Sequence, residues 1–281
     1  MKVKITSDST CDLPAELIEK YNISITPLTV TLGGEIHHDG VDLDTSTIFK
    51  FVEESGTLPM TSAVNVDEYL TEFKKWTGEG YDVVHISLSS ELSSCCRNAQ
   101  LAAEMLGNVK VVDSRNLSTG QGMLTIIAAE LAQSGADAET IAAKCKEMIP
   151  KIQVSFVINT LDYLYKGGRC SALSVFGANL LHIKPFIAVK DGTMAPGKKY
   201  RGKIESVIEH YTEDLFKDRE DIDRSRIILT STGCTKECVE HTRKQLLELM
   251  PDIGELIIAE AGSTISTHCG PKSLGIIYAL K

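Results

Sequence analysis

The sequence predicts an α/β fold in two parts, with a mostly parallel sheet in the first and a mixed or antiparallel sheet in the second. Three observations carry this. In the first half, short runs rich in Val and Ile alternate with segments of helical periodicity. The loops between them are short, as βαβ units require. In the second half, Lys184 to Lys190 and Thr193 to Lys199 flank Asp191-Gly192, the clearest hairpin signal in the chain.

Taken in order, a strand over 3–7 precedes a helix from about 13 to 21, with Asp12 as N-cap and Pro14 in the first turn. A strand over 25–32 meets Gly33-Gly34 and folds back through Glu35-Ile36-His37. Asp44 or Thr45 caps a helix to about Glu54, and Asn65 caps another with Val66, Tyr69, Leu70 and Phe73 on one face. Strand 82–88, a helix over 92–106, strand 109–113 and a helix from near Ser118 follow. Asp137 caps a further helix that ends before Pro150.

A second unit starts near 152 with strand 153–159 and a short helix from Thr160 to Leu164. Gly167-Gly168-Arg169 then precedes a helical run carrying Leu173, Val175, Phe176, Leu180 and Leu181. After the hairpin come a helix over 203–217, strand 226–231, a helix over 235–249, and strands 255–260 and 275–280. No repeat or low-complexity linker interrupts the chain, and its length favours two domains, 1–150 and 151–281.

Composition narrows the function classes. Apolar residues make up 43% of the chain, enough for a core in each part. A net charge of −9 argues against nucleic acid as a partner. Lys184, Lys190, Lys198, Lys199, Arg201 and Lys203 are the candidates for a local basic patch. No stretch approaches the roughly 20 apolar residues of a membrane span. Residues 1–6 read as a strand rather than a secretory leader, so the eight cysteines are expected as thiols in the cytoplasm. Neither Cys234 and Cys238 nor His37-His38-Asp39 has the spacing of a metal site.

The placement of hydroxyls is the functional signal. Strand-like runs open into Thr6-Ser7-Asp8-Ser9-Thr10, Ser87 to Ser94, Asp113-Ser114 and Thr230-Ser231-Thr232. The carboxyl ends of strands are where open α/β sheets bind ligands, and hydroxyls beside helix N-termini suit an anion. Asp8 reads as a residue that satisfies loop amides, since the second Asp of a phosphotransfer loop is missing. If a helix starts at Ser90, Ser90 and Ser93 share a face. Pro59-Met60-Thr61-Ser62 adds two hydroxyls in a loop before a helix. His268, in a Gly- and Ser-rich loop, could pair with Ser93 in a Ser–His–acid hydrolase, but no G-x-S-x-G elbow is present.

Together these segments resemble the DegV family of bacterial fatty-acid-binding proteins. The resemblance runs from Lys4-Ile5-Thr6-Ser7-Asp8-Ser9 to Thr267-His268-Cys269-Gly270-Pro271-Lys272-Ser273-Leu274-Gly275. Between lie Pro59-Met60-Thr61-Ser62, Ile86 to Ser93, Val112-Asp113-Ser114, Leu161 to Arg169, Lys184-Pro185 and Arg201, in the family's order. The resemblance implies a two-domain fold with a lipid tunnel between the domains, holding one long-chain fatty acid. It implies that Thr61 and Ser93 meet the carboxylate, with His268 at the same end. It further implies a carrier rather than an enzyme, with no cofactor, that presents the carboxylate to a partner ATP-dependent fatty acid kinase. Arg169, Arg201 and His268 would then serve the kinase-facing surface, with transient contact to a membrane surface. Cys95, Cys96 and Cys269 depart from the family's pattern and bear on pocket shape and acyl preference. A lipid-sensing regulatory module and a Ser/His lipid hydrolase are the alternatives.

Overall fold

The computed structural model describes residues 2–170 and 183–281, so the expected helical run from Leu173 to Leu181 lies outside the described residues. The first strand, β1 (Lys2–Asp8), leads through a single 3-10 turn to α1 (Ala15–Lys20). Three short strands follow, β2 (Ser24–Thr26), β3 (Thr29–Leu32) and β4 (Glu35–His38). Next come α2 (Thr45–Ser55), β5 (Met60–Ser62), α3 (Val66–Gly78) and β6 (Tyr81–Ser87). The first half closes with α4 (Cys95–Glu104), β7 (Val109–Asp113), α5 (Ser118–Gln133) and α6 (Ala138–Met148). The second half opens with β8 (Ile152–Val157), α7 (Asp162–Lys166), β9 (Ile183–Lys190), β10 (Thr193–Arg201) and α8 (Ile204–Phe216). It ends with β11 (Ile222–Thr232), α9 (Lys236–Leu249), β12 (Glu255–Glu260), α10 (Ser263–Cys269) and β13 (Ser273–Leu280).

The α/β class holds. One sheet has the order β2-β1-β6-β7 with every pair parallel. The other has the order β10-β9-β8-β13-β11-β12, antiparallel except for β11 beside β12. The hairpin of β9 and β10 turns at Asp191 and Gly192, both with positive φ, the conformation that an Asp-Gly pair adopts readily. The caps at Asp44, Asn65 and Asp137 also form, each side chain accepting a bond from the third helical N–H.

Helix α5 joins the two sheets. Its sequence is apolar on most of its circumference, which suits a helix buried on all sides. Met123, Leu124 and Ile126 pack in one cluster with Ile5, Val84 and Val112 of the parallel sheet and with Val154, Ile228 and Ile277 of the mixed sheet. A second cluster joins Phe73, Leu88 and Leu117 to Phe156, Ile187 and Ile265. Among the described residues, no helix is long and apolar enough to cross a membrane.

Three expectations need correction. The strand over 25–32 is two strands. Pro27 has no N–H to continue a ladder, so β2 stays in the parallel sheet while β3 joins a separate antiparallel sheet, β4-β3-β5. Pro14 rather than Asp12 occupies the α1 N-cap position. Asp12 sits at φ 49 and directs its carboxylate away, to the N–H of Gly262 and the hydroxyl of Ser118. Finally, α4 starts at Cys95 rather than at 92. Ser89 to Ser94 form turns, because the Ser89 carbonyl accepts bonds from Leu92 and Ser93 N–H.

Candidate functional site

The small antiparallel sheet aims Thr61 inward. On β5 it stands opposite Val30 of β3, which is fully buried, while its neighbour Met60 points outward and is 68% exposed. Alternation along a strand puts successive side chains on opposite faces. The loop expected around Thr61 is therefore a strand, and that is what fixes its direction.

Ser93 is placed by the turn before α4. Its hydroxyl accepts from the Cys95 N–H and donates to Cys95 Sγ, both at 3.2 Å. Cys95 is buried, and its thiol is pushed up to about 12 by desolvation and the nearby Asp8 charge. Beneath lies a polar network on the parallel sheet. Asp8 accepts bonds from Tyr69 Oη, His85 Nε2 (3.2 Å), Ser87 Oγ (2.9 Å) and the Leu88 N–H (2.7 Å). Burial opposes its ionisation, but His85 and these donors outweigh burial and hold the carboxyl below its usual range. Asp8 thus serves a loop amide, as expected. The network and Cys95 form the floor on which the Ser93 turn rests.

His268 is the last turn of α10, a helix that the sequence reading took for a loop. Two distant carboxylates hold its first turn. Asp12 Oδ1 accepts from Gly262 N–H at 2.8 Å, and Asp39 Oδ1 accepts from Ser263 N–H at 2.7 Å. Carboxyl oxygens at a helix N-terminus satisfy orphan N–H donors, and the positive end of the dipole favours negative charge there. The carboxyls sit close, and burial together with the Asp39 charge pushes Asp12 well above its usual range. Gly262 is required there, since a Cβ would lie 2.7 Å from Asp39 Oδ1.

The imidazole has two unlike nitrogens. Nε2 is 2.9 Å from Thr61 Oγ1, whereas Nδ1 is buried with no partner among the described residues. Nδ1 faces the backbone of Gly167, where a Cβ would overlap it. Burial, helped by the Arg169 guanidinium, pushes the imidazole down to about 4. It is neutral near pH 7, with a single ring proton. Thr61 can donate to an anion only if it accepts from His268, which puts that proton on Nε2.

Thr61, Ser93, His268 and Arg169 line one slim cavity with Leu28 and Leu92, leaving about 50 Å³ for the centres of water molecules. Leu117, Ile265 and Cys269 also line a second cavity of about 30 Å³, bounded by Val154, Phe156, Leu274 and Ile277. A cavity with polar groups at one end therefore lies beside a smaller apolar one, the two sharing the walls made by Leu117, Ile265 and Cys269. Arg169 is exposed and donates to the Gly167 carbonyl at 2.9 Å. Arg201 is exposed at the end of β10, opposite Ile183, and is not part of the cavity lining. Of the basic patch, Lys184 is taken up by Asn159 and Lys198 by Asp214.

The arrangement suits binding an anion through neutral donors better than hydrolysis. Ser93 is bonded to Cys95 rather than to His268, and no carboxylate reaches His268 Nδ1 among the described residues. Most other hydroxyls noted in the sequence are spent on the scaffold. Ser7 donates to the Ile86 carbonyl, Ser89 to the Gly192 carbonyl and Ser90 to Asp113. The sequence reading missed Gly167 and Thr264 as site residues. Thr264 could have been found from its i, i+4 spacing to His268, had the helix been recognised. No group of three or more His, Cys, Asp or Glu side chains among the described residues could hold a metal ion.

Comparison with known proteins matches this architecture. A family model described as "Uncharacterised protein, DegV family" matches residues 2–281. A DegV domain-containing protein of Clostridium acetobutylicum is 33% identical over 282 residues, covering 100% of this chain and 99% of its own. A Thermotoga maritima protein described as a fatty acid-binding protein is 32% identical over 283 residues, covering 98% of this chain and 96% of its own. A solved structure described as "Fatty Acid Binding of a DegV family Protein from Thermus thermophilus" superimposes with a TM-score of 0.89 at 28% identity, covering 100% of both chains. With a family model matched over nearly its whole length and a relative at one-third identity end to end, this chain belongs to the DegV family.

Proposed function

We propose that the protein is a carrier that binds one long-chain fatty acid, with the carboxylate at Thr61, Ser93 and His268 and the acyl chain toward the smaller apolar cavity. The observation that carries this reading is the Thr61–His268 hydrogen bond at the polar end of a narrow apolar cavity. Similarity to proteins described as fatty acid-binding supports the ligand class. Each buried methylene contributes about 0.8 kcal/mol, so a chain of about 14 supplies on the order of 11 kcal/mol before losses of ligand freedom and of carboxylate solvation. Neutral donors are therefore sufficient for tight binding. An ammonium partner would hold the carboxylate harder but would blunt it as a nucleophile.

The same reading has the loaded protein present its carboxylate to an ATP-dependent fatty acid kinase in the cytoplasm. Its support is that the polar end of the cavity is flanked by exposed Arg169, and that Arg201 stays exposed outside the cavity. The buried thiols of Cys11, Cys95, Cys145 and Cys269 suit a reducing compartment. Transient contact with a membrane surface falls on the outer face of the small sheet. There Ile36 and Met60, 67% and 68% exposed, oppose Thr31 from either side, one residue from Thr61.

The test is equilibrium binding of palmitic acid to wild type and to a Thr61→Ala, Ser93→Ala double variant. Affinity falls at least tenfold while the folded spectrum is kept. Wild-type affinity in the double variant would overturn the head-group assignment. A separate arm, Arg201→Ala, keeps binding but lowers acyl phosphate formation by an added fatty acid kinase.

A further inference from the structure

Helix α10 carries five hydroxyl or imidazole side chains in seven residues, and all but one are engaged. Ser263 donates to the Leu43 carbonyl (2.6 Å), Ser266 to the Ala261 carbonyl (3.2 Å) and Thr267 to the Ser263 carbonyl (2.8 Å), while His268 meets Thr61. Thr264 is the exception. It is only 4% exposed, its hydroxyl has no partner among the described residues, and its side chain belongs to the wall of the ligand cavity.

Position explains the missing bond. A threonine inside a helix usually returns its hydroxyl to the carbonyl four residues earlier, as Thr267 does to Ser263. Thr264 lies in the first turn, where the preceding segment has left the helical path, and that carbonyl is out of reach. A buried hydroxyl without a partner is destabilising, and valine would fill the same volume without that penalty. A ligand atom is the partner that the cavity can supply.

Thr264 and His268 are one helical turn apart on the same face, about 6 Å along the axis. His268 is partly exposed and Thr264 is buried, so Thr264 is the deeper of the two on this face. Leu28, Leu88 and Ile265 of the same cavity wall are apolar and offer a ligand no hydrogen bond. We infer that Thr264 is a specificity-determining contact that selects an oxygenated acyl chain, a fatty acid carrying a hydroxyl several bonds below its carboxylate. The hydroxyl pair there satisfies both groups, as Thr–Thr or Thr–Ser pairs do in a core. An unsubstituted chain leaves Thr264 as it is now. The inference rests on the proposed fatty-acid reading of the cavity.

The experiment measures displacement of a fluorescent fatty acid by palmitic acid and by hydroxypalmitic acids whose hydroxyl is walked along the first several carbons. Wild type is compared with Thr264→Val and Thr264→Ser. One hydroxy isomer binds wild type roughly tenfold more tightly than palmitic acid does. Thr264→Val loses that preference and gains affinity for palmitic acid, and Thr264→Ser keeps the preference. If no isomer is preferred, or if Thr264→Val preserves the preference, the inference is overturned while the fatty-acid reading stands. Failure of wild type to bind any of these acids would overturn the reading and the inference with it.

Discussion

Replacing Gly167 by alanine isolates the contact that holds His268 in place. Gly167 has φ −69 and ψ −14, a conformation that alanine adopts without strain, so the backbone change alone is favourable by about 0.4–1 kcal/mol. Space is the obstacle. The new methyl would overlap His268 Nδ1 and lie 2.9 Å from the Tyr163 carbonyl oxygen. Neither neighbour is the free end of a flexible side chain. The carbonyl accepts the Gly167 N–H at 2.8 Å, and the imidazole is pinned to Thr61. Overpacking of this kind costs about 1–3 kcal/mol, offset in part by the backbone gain. The imidazole is the part that can turn, and turning it separates Nε2 from Thr61.

Loss of that hydrogen bond is worth about 0.5–1.5 kcal/mol, or roughly twofold to twelvefold in affinity for palmitic acid. The assay is displacement of a fluorescent fatty acid, paired with ¹⁵N–¹H spectra of the His268 ring. Gly168→Ala is the control. Gly168 has φ +69 with nothing near the position of a Cβ, so alanine there costs roughly 1 kcal/mol of stability through backbone strain and leaves affinity unchanged. Wild-type affinity in Gly167→Ala, or equal weakening in both variants, would refute the reasoning.

Two further outcomes follow from the same geometry. The His268 value in the fold, about 4, is below its unfolded value near 6.5. The neutral ring therefore contributes stability that is present above about pH 6.5 and is lost as pH falls toward 4, on the order of 3 kcal/mol in all. Urea unfolding of wild type and His268→Gln across that window measures it, and a His268 ring that titrates near 6.5 in the fold would contradict it. Ile36→Ser with Met60→Ser slows transfer of palmitic acid from phospholipid vesicles severalfold without changing affinity in free solution. An unchanged transfer rate removes the proposed membrane-facing role of that sheet.

Much of the scaffold was legible because it rests on local signals. The Asp-Gly turn of the β9–β10 hairpin and the caps at Asp44, Asn65 and Asp137 are each decided within a few residues. The site was harder, because its parts are set by partners far away in the chain. The segment Ser263 to Cys269 is rich in Ser and Thr, which favour turns and caps over helix interiors. It becomes a helix because Asp12 and Asp39, more than 200 residues earlier, bind its first N–H groups. Thr61 read as a loop residue because β5 is three residues long and, among the described residues, pairs only with β3, itself split from β2 at Pro27. Of the adjacent Gly167 and Gly168, only Gly168 has positive φ, and Gly167 is needed for the space that His268 occupies, which no local signal in the sequence reveals. Resemblance to a family named Thr61, Ser93 and His268 together, and no spacing rule in the sequence would have joined them.

The central claim is that the cavity lined by Thr61, Ser93 and His268 holds a fatty acid by its carboxylate. Mass spectrometry of lipid extracted from the purified, denatured protein tests it most directly. The account predicts a free long-chain fatty acid in near-equimolar amount, with a marked drop in the Thr61→Ala, Ser93→Ala variant. Protein that carries no fatty acid after purification, and takes none up when palmitic acid is supplied, would contradict it.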